Sequence, residues 1–392
     1  MDEARNPFAP GAGNPPPELA GRHEILRKAE VVLDRTLAGR HAKSFMLVGL
    51  RGVGKTVLLN RIGQLAEVRK LRWHLIESPE DKPLPDLLVP ALRRLLIGMR
   101  PFVRTAALVT RGLNALASFA KSFKVKYEGV EVGVEVEKGV ADSGDLESDL
   151  ADLVVAIGEA AKAAGTGVLL LIDEVQYVSE LELSAIIMAI HRANQRELPF
   201  VLIAAGLPQL VAKMGRSKSY AERLFDFPEV GPLSRADAIT AIVEPIAKEG
   251  EHIVKAAANE IVDRTEGYPF FLQVWGYHCW NEAKDSPIKT RDVLRAEPAI
   301  IRALDESFFR VRFDRLTPSE KRYLRAMAEL GPGPHRSGEV SEALGIKVQS
   351  AAPVRNGLIQ KGMIYSPAHG DTAYTVPQFD RFLKRQMPGG DW

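Results

Sequence analysis

The sequence predicts an α/β fold built on a parallel sheet, followed by an all-helical module and then by a segment of helices and a hairpin. Three observations carry that expectation. The runs SFMLV (44–48), VLLLI (168–172) and FVLIA (200–204) are apolar almost throughout, as strands covered on both faces should be. Helical spacing separates them, so the strands are joined by crossovers and lie parallel. Beyond Gly231 and Pro232 helical spacing continues with no obvious strand until close to the carboxy end.

Composition sets the scale. The chain has 392 residues, 46% hydrophobic and 26% charged, and at about 150 residues per domain two or three domains are expected. Its 52 Lys/Arg and 50 Asp/Glu leave a formal charge of +2, so any nucleic-acid contact must come from a local patch. The single cysteine, Cys279, excludes an internal disulfide framework and fits a reducing compartment. The opening MDEARNPFAP is acidic and lacks the apolar centre of an export signal. The apolar stretch 103–123 is broken by Arg104, Arg111 and Lys121 and falls short of the ~20 residues of a membrane span. The expectation is a cytoplasmic protein without a membrane partner.

Residues 6–17 (NPFAPGAGNPPP) hold five prolines and two glycines, which predicts a flexible leader over 1–17. From Glu18 the pattern is helical, with Leu19, Ile25, Leu26, Ala29, Val32 and Leu33 at three- and four-residue spacing until Gly39. The strand 44–48 leads into GLRGVGKT (49–56), a helix over 57–68 and a strand RWHLI over 72–76. An insertion at about 80–150 follows. Within it, 103–123 reads as helix, and KVKYEGVEVGVEVE (124–137) alternates like a projecting β-hairpin, either a solvated edge ribbon or a contact surface. The expected division is a core over 18–232, a helical lid over 233–300 and a terminal module over 301–392.

GLRGVGKT meets the spacing G-x-x-x-x-G-K-[ST] through Gly49, Gly54, Lys55 and Thr56, with Gly52 adding freedom. Glycines let backbone N–H groups close around phosphate oxygens, and a helix starting near Lys55 aims its positive end at them. Lys55 would reach the outer phosphates and Thr56 would offer its hydroxyl to Mg²⁺. The expected nucleotide-binding set is Gly49, Gly52, Val53, Gly54, Lys55, Thr56 and Val57. An accidental turn is the alternative; the strand before it and the helix after it argue against that.

VLLLIDEVQ (168–176) ends a buried strand in two carboxylates, an arrangement that is costly unless they face a site. Asp173 is placed to support the Mg²⁺ and Glu174 to polarise an attacking water, a pairing suited to hydrolysis. Capping of the next helix is the bland alternative.

Together with ELAGRHEIL (18–26), FVLIAAGLP (200–208), YAERLFDF (220–227) and TEGYPFFLQ (265–273), these motifs resemble the AAA+/STAND class of P-loop ATPases. Within it the chain is similar to the archaeal and bacterial origin-recognition-like, or replication-initiator-like, ATPases. The resemblance covers roughly 18–280. It implies a parallel-sheet P-loop core, an α-helical lid and a carboxy-terminal winged helix-turn-helix, with ATP and Mg²⁺ held between core and lid. It further implies that Gly21 and Arg22 lie by the adenine and ribose, and that Gly267 and Pro269 form the lid element closing over the nucleotide. Arg223 would be an arginine finger acting across a homo-oligomer interface, or else an ordinary ion pair with Glu222 or Asp226. Two departures point to slow turnover. The strand at 200 ends in Ala204, Ala205 and Gly206 with no polar sensor, and the lid helix offers only Gln273 and His278 where an arginine is common. The neighbouring His278 and Cys279 lack the further ligands that a metal site needs.

From Thr317, TPSEKRYLRAMAEL has a capping box with Glu320. Two further helices and the strands of MIYSPAHGDTAYTV complete the winged-helix order. Ten Lys/Arg against seven Asp/Glu from Thr317 onward give 10 − 7 = +3. Gln349, Ser350, Arg355 and Asn356 could face a groove of double-stranded DNA, with Arg336 and Lys347 for phosphates. Winged helices also bind proteins or autoinhibit. Two functions therefore stand: an oligomeric, slow ATPase acting on DNA, and a nucleotide-gated switch for a protein partner with little turnover. A small-molecule kinase is disfavoured by the adjacent Asp173 and Glu174.

Overall fold

The structure is a computed structural model that describes residues 1–11, 13–99, 106–125 and 139–390. The expected hairpin at 124–137 lies, past its first two residues, outside the described residues. The chain forms two compact units, His23–Val48 with Lys55–Glu229, and Met1–Arg22 with Gly49–Gly54 and the chain from Val230 onward.

The first unit is a parallel sheet of β1 (Ser44–Val48), β2 (Arg72–Glu77), β3 (Val168–Asp173), β4 (Phe200–Gly206) and β5 (Phe225–Asp226), in the order β2-β3-β4-β1-β5. Every residue of β1, β3 and β4 is buried, while the edge strand β2 is mostly half-buried. Continuous apolar runs thus mark the three central strands, because helices cover the sheet on both faces. The register sets Glu77 beside Asp173 at the carboxyl end of the sheet. In open parallel sheets ligands bind off that end.

The helix after β1 spans Lys55–Val68 and approaches β2 closely. A Cβ on Gly63 would stand 2.5 Å from the Trp73 ring. Within the insertion the structure places helix Ala106–Ser122 where the sequence predicts one, and adds Leu84–Ile97 and Leu146–Ala163. These three feed one apolar cluster with the sheet. Leu84–Ile97 carries Pro85 in its first turn and Pro90 inside it, residues that read as helix breakers, and Leu146–Ala163 is buried over most of its length and so shows little polar alternation.

The second unit contains helices Arg235–Lys248, Lys255–Thr265, Pro269–Glu282 and Thr290–Ala303. Helices Pro318–Leu330, Ser337–Ala343 and Val348–Gln360 follow, with β6 (His335–Arg336), β7 (Ile364–Tyr365) and β8 (Asp371–Tyr374) in an antiparallel sheet of order β6-β8-β7, and a last helix Phe379–Gln386. The expected capping box is present: Thr317 accepts from Glu320 N, and Glu320 accepts from Thr317 N. The sequence division near residue 300 does not coincide with a gap in packing. Phe308 stacks on Phe270 at 4.6 Å between centroids, and Phe309 stacks on Phe382 at 5.2 Å, so one apolar cluster runs from Ala238 to Leu383.

The expectation of a flexible leader over 1–17 is corrected for its first half. Phe8 is 1% exposed and lies against Gly276, where a Cβ would meet its ring at 2.7 Å. Asn6 Nδ2 donates to Tyr277 O at 2.9 Å and Trp280 Nε1 donates to Asp2 O at 2.8 Å. Proline and glycine prevent a regular element, but they do not prevent docking when one aromatic ring is available for burial, worth about 1.5–3 kcal/mol.

Candidate nucleotide site

The glycine loop Gly49–Gly54 belongs to the second unit, and its position is fixed through backbone groups. Arg51 N donates to Thr375 O at 3.0 Å, and Phe270 N, in the first turn of helix Pro269–Glu282, donates to Gly52 O at 3.1 Å. Arg22 Nη2 donates to Val53 O at 3.1 Å and to Gly231 O at 2.6 Å. Burial lowers the Arg22 pKa, and the nearby Asp237 opposes that shift. Arg22 is therefore a brace beneath the loop, a role that the sequence does not announce. Its neighbour Gly21 has φ +67, and a Cβ there would stand 2.8 Å from the Asp237 carboxylate.

Glycine is required at Gly49 and at Gly52 for different reasons. A Cβ on Gly49 would lie 2.1 Å from Val230 O, so no side chain fits; Gly52 has φ +79, and its Cβ would meet Phe270 at 3.3 Å. Gly267 answers to the same logic, with φ +72 and a Cβ 2.6 Å from Leu233 O. Pro269 occupies the first turn of its helix, where its missing N–H costs nothing.

The first unit carries the side chains. Lys55 opens helix Lys55–Val68 and is only 7% exposed; Thr56 and Val57 follow it. Thr56 Oγ1 donates to Asp173 Oδ2 at 2.5 Å, and Glu174 N donates to Asp173 Oδ1 at 2.8 Å. Burial pushes the Asp173 carboxyl up, with Glu174 adding to that, while the Thr56 and Glu174 hydrogen bonds and the Lys55 charge hold it down. A hydroxyl and a carboxylate converging in this way form a hard oxygen donor set that fits Mg²⁺. Among the described residues no cluster of three or more His, Cys, Asp and Glu could hold a metal alone, so such an ion would rely on the nucleotide phosphates for further ligands.

Glu174 leaves the strand in the left-handed region, φ 52 and ψ 34, a conformation that is costly for a residue with a Cβ and that clusters at functional sites. Its carboxylate accepts from Gln176 Nε2. Arg223, on the short helix Ala221–Leu224, is exposed and has no ion-pair partner among the described residues. The alternative pairing with Asp226 is taken up otherwise, since Lys28 and Lys43 both bind that carboxylate. Burial alone would raise the Asp226 pKa; the two lysines hold it below the usual range.

In the carboxy-terminal part, Lys347, Gln349, Ser350 and Asn356 are exposed, as is Arg336. Arg355 is not available in the expected way. Its Nε donates to Thr372 Oγ1 at 3.0 Å and its Nη2 to Asp371 O at 3.0 Å and to Ser366 Oγ, which fastens the helix to the β7–β8 hairpin. His278 and Cys279 lie on helix Pro269–Glu282, and burial pushes the thiol far up.

Residues 18–203 match the family described as AAA ATPase domain, and residues 306–383 match a domain of unknown function. Among solved structures the chain is similar to a Walker-type ATPase of Pyrococcus abyssi, with 17% identity and a TM-score of 0.53 over 93% of this chain and 96% of that one. It is also similar to the Orc1 protein of Aeropyrum pernix in complex with DNA, with 14% identity and a TM-score of 0.48 over 97% and 96% of the two chains. The RuvB Holliday junction branch migration motor of Thermotoga maritima gives 16% identity and a TM-score of 0.43 over 90% and 92%. No protein among the curated sequences matches the chain. No described helix is long and apolar enough to cross a membrane. With the phosphate loop, the paired carboxylates and the parallel sheet in place, residues 18–203 form an AAA ATPase domain, and the protein is an ATPase.

Proposed function

We propose that this ATPase turns over slowly and works as a switch, in which the nucleotide state sets the arrangement of the helical lid (233–300) and of the carboxy-terminal module (301–392), read as a winged helix. The observation that carries the reading is the double backbone tether of the glycine loop. Gly52 O receives the lid residue Phe270, and Arg51 N is given to Thr375 beside β8. A phosphate drawing the loop N–H groups inward competes with or reinforces these bonds, so occupancy biases both modules.

Gly49, Gly52, Val53, Gly54, Lys55, Thr56 and Val57 would cradle the phosphates, Thr56 and Asp173 would hold the metal, and Glu174 would take the proton of the attacking water. Mg²⁺, when bound, neutralises charge developing on the phosphates. Arg223 would complete the site of a neighbouring subunit in a homo-oligomer, which its exposure and its lack of an ion-pair partner among the described residues favour. Gly21, Arg22, Gly267 and Pro269 would shape the nucleotide's surroundings. Slow turnover follows from the absence of a polar side chain at Ala204, Ala205 and Gly206.

Hydrogen exchange with and without ATP and Mg²⁺ tests the coupling. Protection should change both around 265–275 and around 371–378. If neither segment responds while nucleotide demonstrably binds, the switch reading fails. A second reading, action on double-stranded DNA, is favoured by exposed Arg336, Lys347, Gln349, Ser350 and Asn356. Phosphate release that is stimulated by duplex DNA supports it, and binding of a protein partner with no response to DNA favours the regulatory alternative.

A further inference from the structure

The turn that follows β3 is braced from two directions. Gln176, 7% exposed, gives Nε2 to the Glu174 carboxylate and accepts at Oε1 from Leu207 N at 3.1 Å, one residue past the end of β4. Lys213, from helix Gln209–Ser217, donates to Gln176 O at 2.9 Å and to Val178 O. Gly206 explains why β4 itself contributes no polar group. A Cβ there would stand 3.1 Å from Gln176 Oε1 and 3.0 Å from Leu210 Cδ2, so the space is already filled by the Gln176 amide.

We propose that Gln176 is the positioning residue for Glu174, itself held from the end of β4 by Leu207 N. The inference rests on the reading of Glu174 as the base. The amide has one orientation: its carbonyl must face Leu207 N, because only the oxygen accepts, and its NH₂ is thereby turned to Glu174. On a left-handed residue at a strand end, the carboxylate has in this amide a donor of defined direction. With the amide fixed by the backbone of β4, the carboxylate is fixed as well, and the frame of the sheet is transmitted to the reacting end of the side chain.

Two variants separate the arms of the amide. Gln176→Glu keeps the acceptor for Leu207 N and withdraws the donor to Glu174; Gln176→Met keeps the volume and withdraws both. General-base catalysis contributes about 10²–10⁴-fold, and loosening the base should forfeit about tenfold of it in kcat. Both variants should show that loss with unchanged dissociation constant for a fluorescent ATP analogue. Exchange of the Leu207 amide, measured without nucleotide, should quicken in Gln176→Met and stay slow in Gln176→Glu. In a Glu174→Gln background neither variant should lower kcat further. Wild-type kcat in Gln176→Glu overturns the proposal, as does an additive loss in the double variants. The base reading is tested apart from this, since full turnover by Glu174→Gln alone would refute it whatever Gln176 does.

Discussion

The glycine loop and the carboxylate end of β3 are held by different chemistry. The loop is tethered at Arg51 and Gly52 by main-chain groups, Arg51 N to Thr375 O and Phe270 N to Gly52 O, with the Arg22 side chain bracing Val53 O, whereas the Asp173 and Glu174 carboxylates meet the side chains of Thr56 and Gln176. Main-chain tethers survive most substitutions of the residues that make them, and they fail when the backbone itself is displaced. Side-chain tethers fail one residue at a time. The loop should therefore respond to substitution all-or-none and the β3 end in graded steps.

The largest effect tests the loop. Gly49→Val would drive a side chain into Val230 O, which stands only 2.1 Å from the Cβ position. Nucleotide binding, followed by titration with a fluorescent ATP analogue, should be lost outright. A variant that binds normally would show that the loop can move away from Val230, and the contrast would collapse.

Next comes Arg223→Ala, an expected catalytic residue whose side chain has no ion-pair partner among the described residues. An arginine supplied across an interface is worth about 10³-fold in kcat, and the loss should be partly restored on mixing with a Lys55→Ala variant that keeps Arg223. Loss without restoration places the arginine's action within its own subunit. Glu174→Gln follows at about 10²-fold in kcat with unchanged nucleotide affinity, measured by phosphate release.

How much of this was legible in the sequence depends on which kind of contact does the holding. The central strands, the loop and the two carboxylates announce themselves, because burial on both faces and phosphate geometry restrict residue type at fixed spacing. Gln176 stands in plain view in VLLLIDEVQ, yet its partner Leu207 N is a backbone group 31 residues away that no side-chain pattern marks. Arg51, Thr375 and Phe270 are hidden for the same reason, since a main-chain hydrogen bond makes no demand on residue identity. The leader misled in the opposite sense: its prolines and glycines dominate the composition, while one residue, Phe8, decides where it goes. The Ala204, Ala205, Gly206 terminus reads only as a missing side chain, because nothing in those letters says that the Gln176 amide packs beside Gly206.

The smallest effect carries the same contrast to the carboxy-terminal helices. Arg355 is spent on the β7–β8 hairpin, whereas Lys347 is exposed at the start of helix Val348–Gln360. Arg355→Ala should lower the unfolding free energy by about 1 kcal/mol, the worth of its hydrogen bonds after exchange with water, read from urea unfolding. Lys347→Ala should leave stability alone. If the helix meets duplex DNA through phosphate contacts, Lys347→Ala should reduce the slope of log K against log salt by about 1, and Arg355→Ala should not change that slope. An arginine that moves the salt slope as much as the lysine would mean that the hairpin releases it on binding. The side chain would then belong with the tethers that nucleotide or partner can break, and not with those that merely hold the fold.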